Sequence, residues 1–216
     1  KRVAQLPHSF HEDPSRNRVS LVEAIRNRNG RNAIIAEIKC ASPSRGVIRR
    51  NVDMAMMAGV LKEGGCTALS VLTEPHFFGG TGQDIGRVKS AVSLPVLRKD
   101  FIIDERQIAE SRSLGADAVL LVAAVLNSDL PEFVNLAISY GLDPLVEVHT
   151  ADEAEEACAT KATLIGINNR NLATLGIDRS TTRILSERIR GNDRLIISES
   201  GMQSADDIRE MRRYCD

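Results

Sequence analysis

The stretch PVLRKDFIIDERQIAESRSLGADAVLLVA, residues 95–123, contains one complete strand–helix–strand unit. Two short apolar runs, 95–99 and 117–123, flank a helical pattern at 104–114 that begins at the capping residue Asp104. Near-continuous apolar strands are buried on both faces, which is typical of a parallel sheet covered by helices. This stretch therefore predicts a parallel α/β fold.

The same pattern repeats along the chain at intervals of ~20–35 residues, the length of one strand, one helix and two short loops. The other strand candidates are 33–39, 67–72, 144–148, 163–168 and 194–198. The other helix candidates are 18–28, which precedes the first strand, and 52–64, 83–91, 128–140, 151–159, 178–190 and 204–213.

Repeated strand–helix units form either an open doubly wound sheet or a closed barrel. The open sheet usually has a glycine-rich phosphate loop after its first strand, and CASPSRG at 40–46 is not such a loop. Charged or amide side chains instead follow strand after strand, and in a barrel those ends converge on the mouth that holds the active site. We expect an α/β protein, a (β/α)8 TIM barrel.

We expect a single domain over 1–216, in which 1–32 form an N-terminal extension with an extra helix and 33–216 form barrel units one to seven. Cys215-Asp216 resembles the start of the fourth strand at 115–118. The eighth βα unit is therefore expected to be absent from this chain.

Composition excludes several classes of protein. With 28 basic and 29 acidic residues and a net charge of −1, the chain offers no basic surface for nucleic acid or a membrane. It has neither an apolar run of about 18 residues nor an N-terminal signal core. Its four cysteines fit no disulfide or zinc spacing, and four scattered histidines, His8, His11, His76 and His149, suggest no ligand cluster. We expect a cytoplasmic protein with reduced thiols.

Three strands carry candidate reactive groups. Glu37 and Lys39 lie two apart on one strand and so point to the same side, as a pocket ion pair, as a structural ion pair, or with Lys39 reaching out to solvent. Lys99 and its neighbour Arg98 point to opposite sides, so Lys99 is either a proton donor in a pocket or a solvated turn residue. Glu147, inside an apolar strand, needs a cationic partner across the barrel, or acts as a base, or both.

Two further segments could bind substrate. Asn168 to Leu172 offer amides and a guanidinium suited to anion contact, and they also suit an ordinary polar loop. Ser198-Glu199-Ser200-Gly201 forms a small-residue turn before a helix, where backbone N–H groups can approach a phosphate. A simple tight turn with a helix cap explains it equally well.

Taken together, these segments resemble the indole-3-glycerol-phosphate synthase family of tryptophan biosynthesis. The resemblance runs through AEIK at 36–39, ASPS at 41–44, SVLTE at 70–74, FFGG at 77–80, LRKDFIID at 97–104, GADAVLL at 115–121, LVEVH at 145–149, IGINNRNL at 165–172 and SESG at 198–201. One departure is Cys40, where a larger and often basic residue is expected; another is the eighth unit, which in the family contributes to phosphate binding.

The resemblance implies a carbon-carbon lyase that converts 1-(2-carboxyphenylamino)-1-deoxyribulose 5-phosphate to indole-3-glycerol phosphate, CO2 and water without a metal or organic cofactor. It implies that Lys99 is the general acid, Glu147 the acid/base of dehydration and Lys39 a second proton donor. The complete implied catalytic set is Lys99, Glu147, Lys39, Glu37 and Asn168. The implied substrate-binding set is Ser42, Phe78, Arg170, Leu172, Glu199, Ser200 and Gly201.

Two rival hypotheses remain. Phosphoribosylanthranilate isomerase is another phosphate-binding barrel, but it uses a cysteine base and an aspartate acid, whereas this chain offers lysines and glutamates. A non-catalytic barrel should have lost Lys99, Lys39 or Glu147, and all three are present. The expected partner is a small phosphorylated substrate, with no nucleic acid and no membrane. A monomer is the default, and fusion to or complex formation with other tryptophan-pathway enzymes stays open.

Overall fold

The computed structural model describes residues 3–7, 10, 18–28, 32–43, 45–191 and 193–216. Three residues named above, His8, His11 and Ser44, lie outside the described residues. The helices are α1 (Leu21–Arg26), α2 (Met54–Glu63), α3 (Gln83–Ala91), α4 (Glu105–Leu114), α5 (Ala123–Leu126), α6 (Leu130–Ser139), α7 (Ala151–Ala159), α8 (Ser180–Ile189) and α9 (Ala205–Met211). The strands are β1 (Ile35–Ile38), β2 (Ala41–Ser42), β3 (Gly46–Val47), β4 (Ala68–Leu72), β5 (Val96–Lys99), β6 (Ala118–Val122), β7 (Asp143–Val148), β8 (Leu164–Asn168) and β9 (Leu195–Glu199).

The alternation of strands and helices predicted from the sequence is confirmed. All seven strand candidates form strands, and every helix candidate contains a helix. Helix starts agree with the capping signals: Asp104 and Ser204 each form a capping box, and the Thr150 hydroxyl accepts the N–H of Glu153. The prediction of strand at Ala123 is wrong, because α5 begins there.

The chain divides into two compact units. Unit 1 comprises Lys1–Leu120 and Leu136–Asp143, and unit 2 comprises Leu121–Asn135 and Pro144–Asp216. In unit 1 the parallel strands pair in the order β1-β4-β5-β6, and a small antiparallel pair, β2 with β3, follows β1. In unit 2 the parallel order is β7-β8-β9. Each unit therefore has the parallel α/β organisation expected from the sequence.

The same pair of hydrogen bonds, made by an aspartate to a residue at the start of a strand, occurs in both units. In unit 1 the backbone N–H of Asp117 donates to the Val96 carbonyl over 2.9 Å, and its carboxylate accepts the Val96 N–H over 2.9 Å. In unit 2 Asp216 makes the same two bonds with Ile196, both over 2.9 Å. The predicted similarity between the segments at 115–118 and 215–216 is therefore confirmed at the level of contacts.

Helix α1 is held at the amino-terminal end of the unit 1 strands. The buried carboxylate of Asp143 accepts hydrogen bonds from Ser20 Oγ at 2.9 Å and from the backbone N–H of Leu21 at 2.7 Å, and it pairs with Arg18. These charge-assisted bonds fix the start of α1 away from the carboxyl ends of the strands. No helix in the described ranges is long and apolar enough to cross a membrane.

Candidate active site

The ion pair predicted at the end of β1 is present. Lys39 Nζ lies 2.6 Å from Glu37 Oε1, and about a third of each side chain is exposed. The two residues share one side of β1, as the two-residue period of a strand requires. At this exposure the pair orients the lysine more than it stabilises the fold.

Register places Lys99 on the same face of the sheet as this ion pair. Ile38 is level with Val71, and Val71 with Arg98, so Ile38 and Arg98 point to one face. Lys39 and Lys99 each come one residue later and therefore point to the other face. Two lysines and a carboxylate thus project from one face at the carboxyl ends of β1 and β5.

Arg98 identifies the opposite face as the helical side. Its guanidinium is fully buried and binds the Gln107 carbonyl at 3.1 Å and Ser111 Oγ at 2.9 Å, both on α4. It also pairs with Asp100 at 3.0 Å and Glu110 at 2.6 Å. Arg98 thus faces the helical layer, and strand alternation directs Lys99 to the opposite side. Because both neighbours of Lys99 are held in this network, its backbone is fixed.

Glu74, one of the charged residues at the strand ends, organises a loop. Its carboxylate accepts the backbone N–H groups of His76 at 2.9 Å, Phe77 at 2.6 Å and Phe78 at 3.3 Å. Three such bonds to one carboxylate fix the path of the loop after β4. The loop presents Phe78, whose ring centroid lies 6.4 Å from that of Phe101.

Ser42 lies beside this loop in the β2–β3 pair. It is 8% exposed, and its Oγ accepts the N–H of Arg45 at 3.2 Å. The preceding Ala41 donates its N–H to the carbonyl of Phe78 over 3.1 Å. In unit 1 the residue before Ser42 is thus hydrogen-bonded to Phe78, another predicted substrate-binding position.

In unit 2 the carboxylate of Glu147 is held by neighbouring polar groups. Asn168 Nδ2 donates to Glu147 Oε1 over 3.1 Å, and Asn168 Oδ1 accepts from Ser200 Oγ at 2.9 Å and from the Arg170 N–H at 3.0 Å. Glu147 is 4% exposed. The structure therefore brings four predicted site residues together at the ends of β7, β8 and β9.

The next residue along, Asn169, faces the helical side and has a structural role. Its Oδ1 accepts both the N–H and the hydroxyl of Thr182 on α8, and its Nδ2 donates to Ser198 Oγ at 3.0 Å. Strand alternation then places Asn168 and Glu147 on the face away from α8. Glu199, level with Asn168, belongs to that face as well.

Gly166 makes room for Glu199 on this face. A Cβ at position 166 would lie 2.2 Å from Glu199 Oε1 and 3.4 Å from a methyl group of Leu145. No side chain fits there unless the carboxylate moves. The glycine in the motif IGIN thus allows the Glu199 carboxylate to lie across β8.

The turn after β9 has a backbone that favours glycine. Ser200 and Gly201 have φ values of +65° and +87°. A Cβ at 201 would approach Ile177 to 2.8 Å.

The loop after β8 carries two further predicted substrate-binding residues, Arg170 and Leu172. Arg170 donates to the Leu175 carbonyl over 2.9 Å, and Leu172 is 54% exposed.

Sequence reasoning missed His149. Its Nε2 lies 3.4 Å from Glu147 Oε1, and its Nδ1 lies 3.3 Å from Glu153 Oε2. His149 is thus a partner of Glu147 on the same strand end, whereas the cationic partner expected across the barrel stays a prediction. The signal was available in the motif LVEVH, because a histidine two residues after a strand carboxylate shares its side.

The predicted site residues form two groups, one in each unit. Unit 1 holds Glu37, Lys39, Ser42, Phe78 and Lys99, and unit 2 holds Glu147, Asn168, Arg170, Leu172, Glu199, Ser200 and Gly201. Across the described ranges, no group of three or more His, Cys, Asp or Glu residues is arranged to hold a metal ion.

Comparison with known proteins gives one consistent result. The family model "Indole-3-glycerol phosphate synthase" matches residues 1–215. A protein of that name from Azospirillum brasilense is 44% identical over 216 residues, covering 97% of this chain and 82% of the relative. Another, from Caldanaerobacter subterraneus subsp. tengcongensis, is 48% identical over 83% of this chain and 70% of its own length. A third, from Bordetella pertussis, is 47% identical over 86% of this chain and 71% of its own length.

Proposed function

The chain belongs to the indole-3-glycerol phosphate synthase family, and we propose that lysines and carboxylates at its strand ends carry out the ring closure. The activity is that of a carboxy-lyase in tryptophan biosynthesis. It converts 1-(2-carboxyphenylamino)-1-deoxyribulose 5-phosphate to indole-3-glycerol phosphate with loss of CO2 and water. The chemistry needs a proton at the ketone oxygen and stabilisation of the positive charge that develops on the iminium nitrogen.

One observation carries the assignment in unit 1: the register places Glu37, Lys39 and Lys99 on the face opposite α4. Lys99 donates the proton to the ketone oxygen as the ring carbon attacks. Its position is fixed because Arg98 and Asp100 are both held in a buried network. Lys39 is a second proton donor, and its 2.6 Å pair with Glu37 keeps its ammonium group oriented.

In unit 2 Glu147 serves as the acid/base of the dehydration. The carboxylate is nearly buried, and Asn168 fixes one of its oxygens, so little reorganisation is needed when a proton moves. Glu199 adds a second carboxylate on the same face of the unit 2 sheet. Both carboxylates stabilise the positive charge on the iminium nitrogen of the ring-closed intermediate.

Substrate binding draws on the loops that follow the strands. Phe78 offers an apolar surface for the aromatic ring of the substrate, supported by its contact with Phe101. Ser42 follows Ala41, which is hydrogen-bonded to Phe78, and supplies a hydroxyl. Arg170, Ser200 and Gly201 are assigned to the polar end, with Gly201 near the phosphate, and exposed Leu172 covers the substrate.

We further propose that the seven strand–helix units belong to a (β/α)8 barrel that forms a single domain over 1–216, with 1–32 as an N-terminal extension. Family membership and the parallel order within each unit support this. The protein works in the cytoplasm, where its four free cysteines stay reduced.

The assignment is tested by following the fluorescence of the indole product. The unaltered chain is expected to form indole-3-glycerol phosphate and CO2 in equal amounts. Lys39→Met is compared with Lys62→Met, a matched change at an exposed lysine of α2. Lys39→Met should lower kcat by about tenfold or more, and Lys62→Met should leave it unchanged. Equal activity in both variants would remove Lys39 from the reaction.

A further inference from the structure

His149 lies between two carboxylates at the end of β7. Its Nε2 is 3.4 Å from Glu147 Oε1, and its Nδ1 is 3.3 Å from Glu153 Oε2. The same Glu153 oxygen accepts the backbone N–H of His149 over 2.7 Å. The side chains of His149 and Glu147 are 12% and 6% exposed, so their contact is shielded from water.

The groups around the imidazole favour its cationic form. Burial by itself would lower the pKa of His149, but the close contacts with Glu147 and Glu153 and their negative charges outweigh it and raise the pKa to about 9. Burial also acts to raise the pKa of Glu153, yet the contacts with His149 leave it lowered. Among the described residues, Glu147 on β7 and Glu153 on α7 are the charged groups that face the ring, and Asn168 on β8 adds a neutral amide beside Glu147.

We propose that His149 is a positioning residue for the ring-closing reaction, whose imidazolium orients Oε1 of Glu147 and keeps that carboxylate ionised for proton transfer. This inference rests on the proposed role of Glu147. Glu153 completes the arrangement because it holds the imidazolium from the other side and anchors the His149 backbone. His149 acts through Glu147.

The physical reason lies in the burial of Glu147. A carboxylate removed from water favours its neutral form unless a cation or hydrogen-bond donors compensate. Asn168 contributes a neutral donor at 3.1 Å, and the protonated ring of His149 places a positive charge 3.4 Å away. A protonated Glu147 could not accept a proton, so loss of the imidazolium should narrow the pH range in which the enzyme turns over.

The first test is the pH profile of kcat. In His149→Asn the acid limb should move up by about one pH unit, because a nearby positive charge has been removed. KM should change by no more than about twofold, since the substrate contacts remain. Glu153→Gln should leave the acid limb in place, because His149 stays protonated at acid pH.

Thr150→Ala is the matched control. It removes the hydroxyl that caps α7 but leaves the imidazole and both carboxylates. Its pH profile should match that of the unaltered chain. The proposal is overturned if the acid limb of His149→Asn does not move, or if Thr150→Ala moves it equally.

The second test does not depend on activity. NMR titration of ring-labelled histidine, assigned by comparison with His149→Asn, should show His149 titrating near pH 9. Glu147→Gln should lower that midpoint by about one pH unit. An unmoved midpoint would overturn the inference even if Glu147→Gln has lost activity. Normal turnover of Glu147→Gln would instead overturn the proposed role of Glu147, whatever the titration shows.

Discussion

The side-chain amide of Asn168 donates a hydrogen bond to Oε1 of Glu147 over 3.1 Å. The oxygen of the same amide accepts a hydrogen bond from the Ser200 hydroxyl over 2.9 Å. One side chain on β8 thereby links β7 to the turn after β9. The orientation of Glu147 is set by hydrogen bonds between neighbouring strands, which reduces the reorganisation needed for proton transfer.

Replacing Glu147 should separate catalysis from binding. Glu147→Gln keeps the size of the side chain and an oxygen that can accept from Asn168, but it cannot transfer a proton. We expect kcat to fall by about 10²–10⁴-fold with little change in KM. Glu132→Gln, an exposed change in the first turn of α6, is the control. An effect confined to KM would assign Glu147 to binding.

Gly166→Ala tests whether Glu199 needs its present position. The new Cβ would fall 2.2 Å from Glu199 Oε1, so the flexible carboxylate must move. We expect kcat to decrease while the free energy of unfolding changes by less than about 1 kcal/mol. Gly86→Ala, in α3 with nothing within 4 Å of the added Cβ, should leave kcat unchanged. Wild-type kcat in Gly166→Ala would show that the position of Glu199 is unimportant.

Arg98→Met should destabilise the fold strongly. The change leaves the Asp100 and Glu110 carboxylates without the guanidinium that binds both. Denaturant titration should show a loss of about 3–5 kcal/mol in the free energy of unfolding. Arg188→Met removes a surface pair with Glu155, in which the two side chains are 53% and 67% exposed, and should cost about 0–1 kcal/mol. Similar losses in both variants would contradict a structural role for the Arg98 network.

Much of the fold could be predicted because the strands are continuous apolar runs and the helices begin at recognisable caps. Apolarity could not distinguish the end of β6 from α5, since AAVL at 123–126 extends the same run. Nothing in the local pattern predicted the β2–β3 pair. These short elements depend on tertiary contacts.

In the candidate site, too, the local pattern predicted some contacts and missed those that depend on tertiary structure. The pairing of Glu37 with Lys39 could be predicted because both lie on one strand, with a period of two. The bond from Asn168 to Glu147 and the position of Glu199 over Gly166 depend on strand register, which the chain alone does not specify. His149 could have been found from its two-residue spacing to Glu147.

The stabilising effect of His149 should depend on pH. Its pKa in the folded protein is raised from 6.5 to about 9, so the imidazolium contributes fully below about pH 6.5 and its contribution is lost as the pH rises through 9. The unaltered chain should therefore be more stable than His149→Asn at pH 6. At pH 10 the difference between their free energies of unfolding should be smaller by on the order of 1–3 kcal/mol. Denaturant titrations at the two pH values measure this difference. A constant difference would show that the imidazole is not cationic in the folded state.

The most direct test of the account is the kcat of Lys99→Ala, measured from indole fluorescence on protein whose fold has been verified by circular dichroism. Lys99 is held between Arg98 and Asp100, so loss of its side chain beyond Cβ should leave the buried network intact. If Lys99 donates the proton that permits ring closure, kcat should fall by about 10²–10⁴-fold while Lys62→Ala retains full activity. Near-normal turnover by Lys99→Ala would contradict the assignment of Lys99 as the general acid.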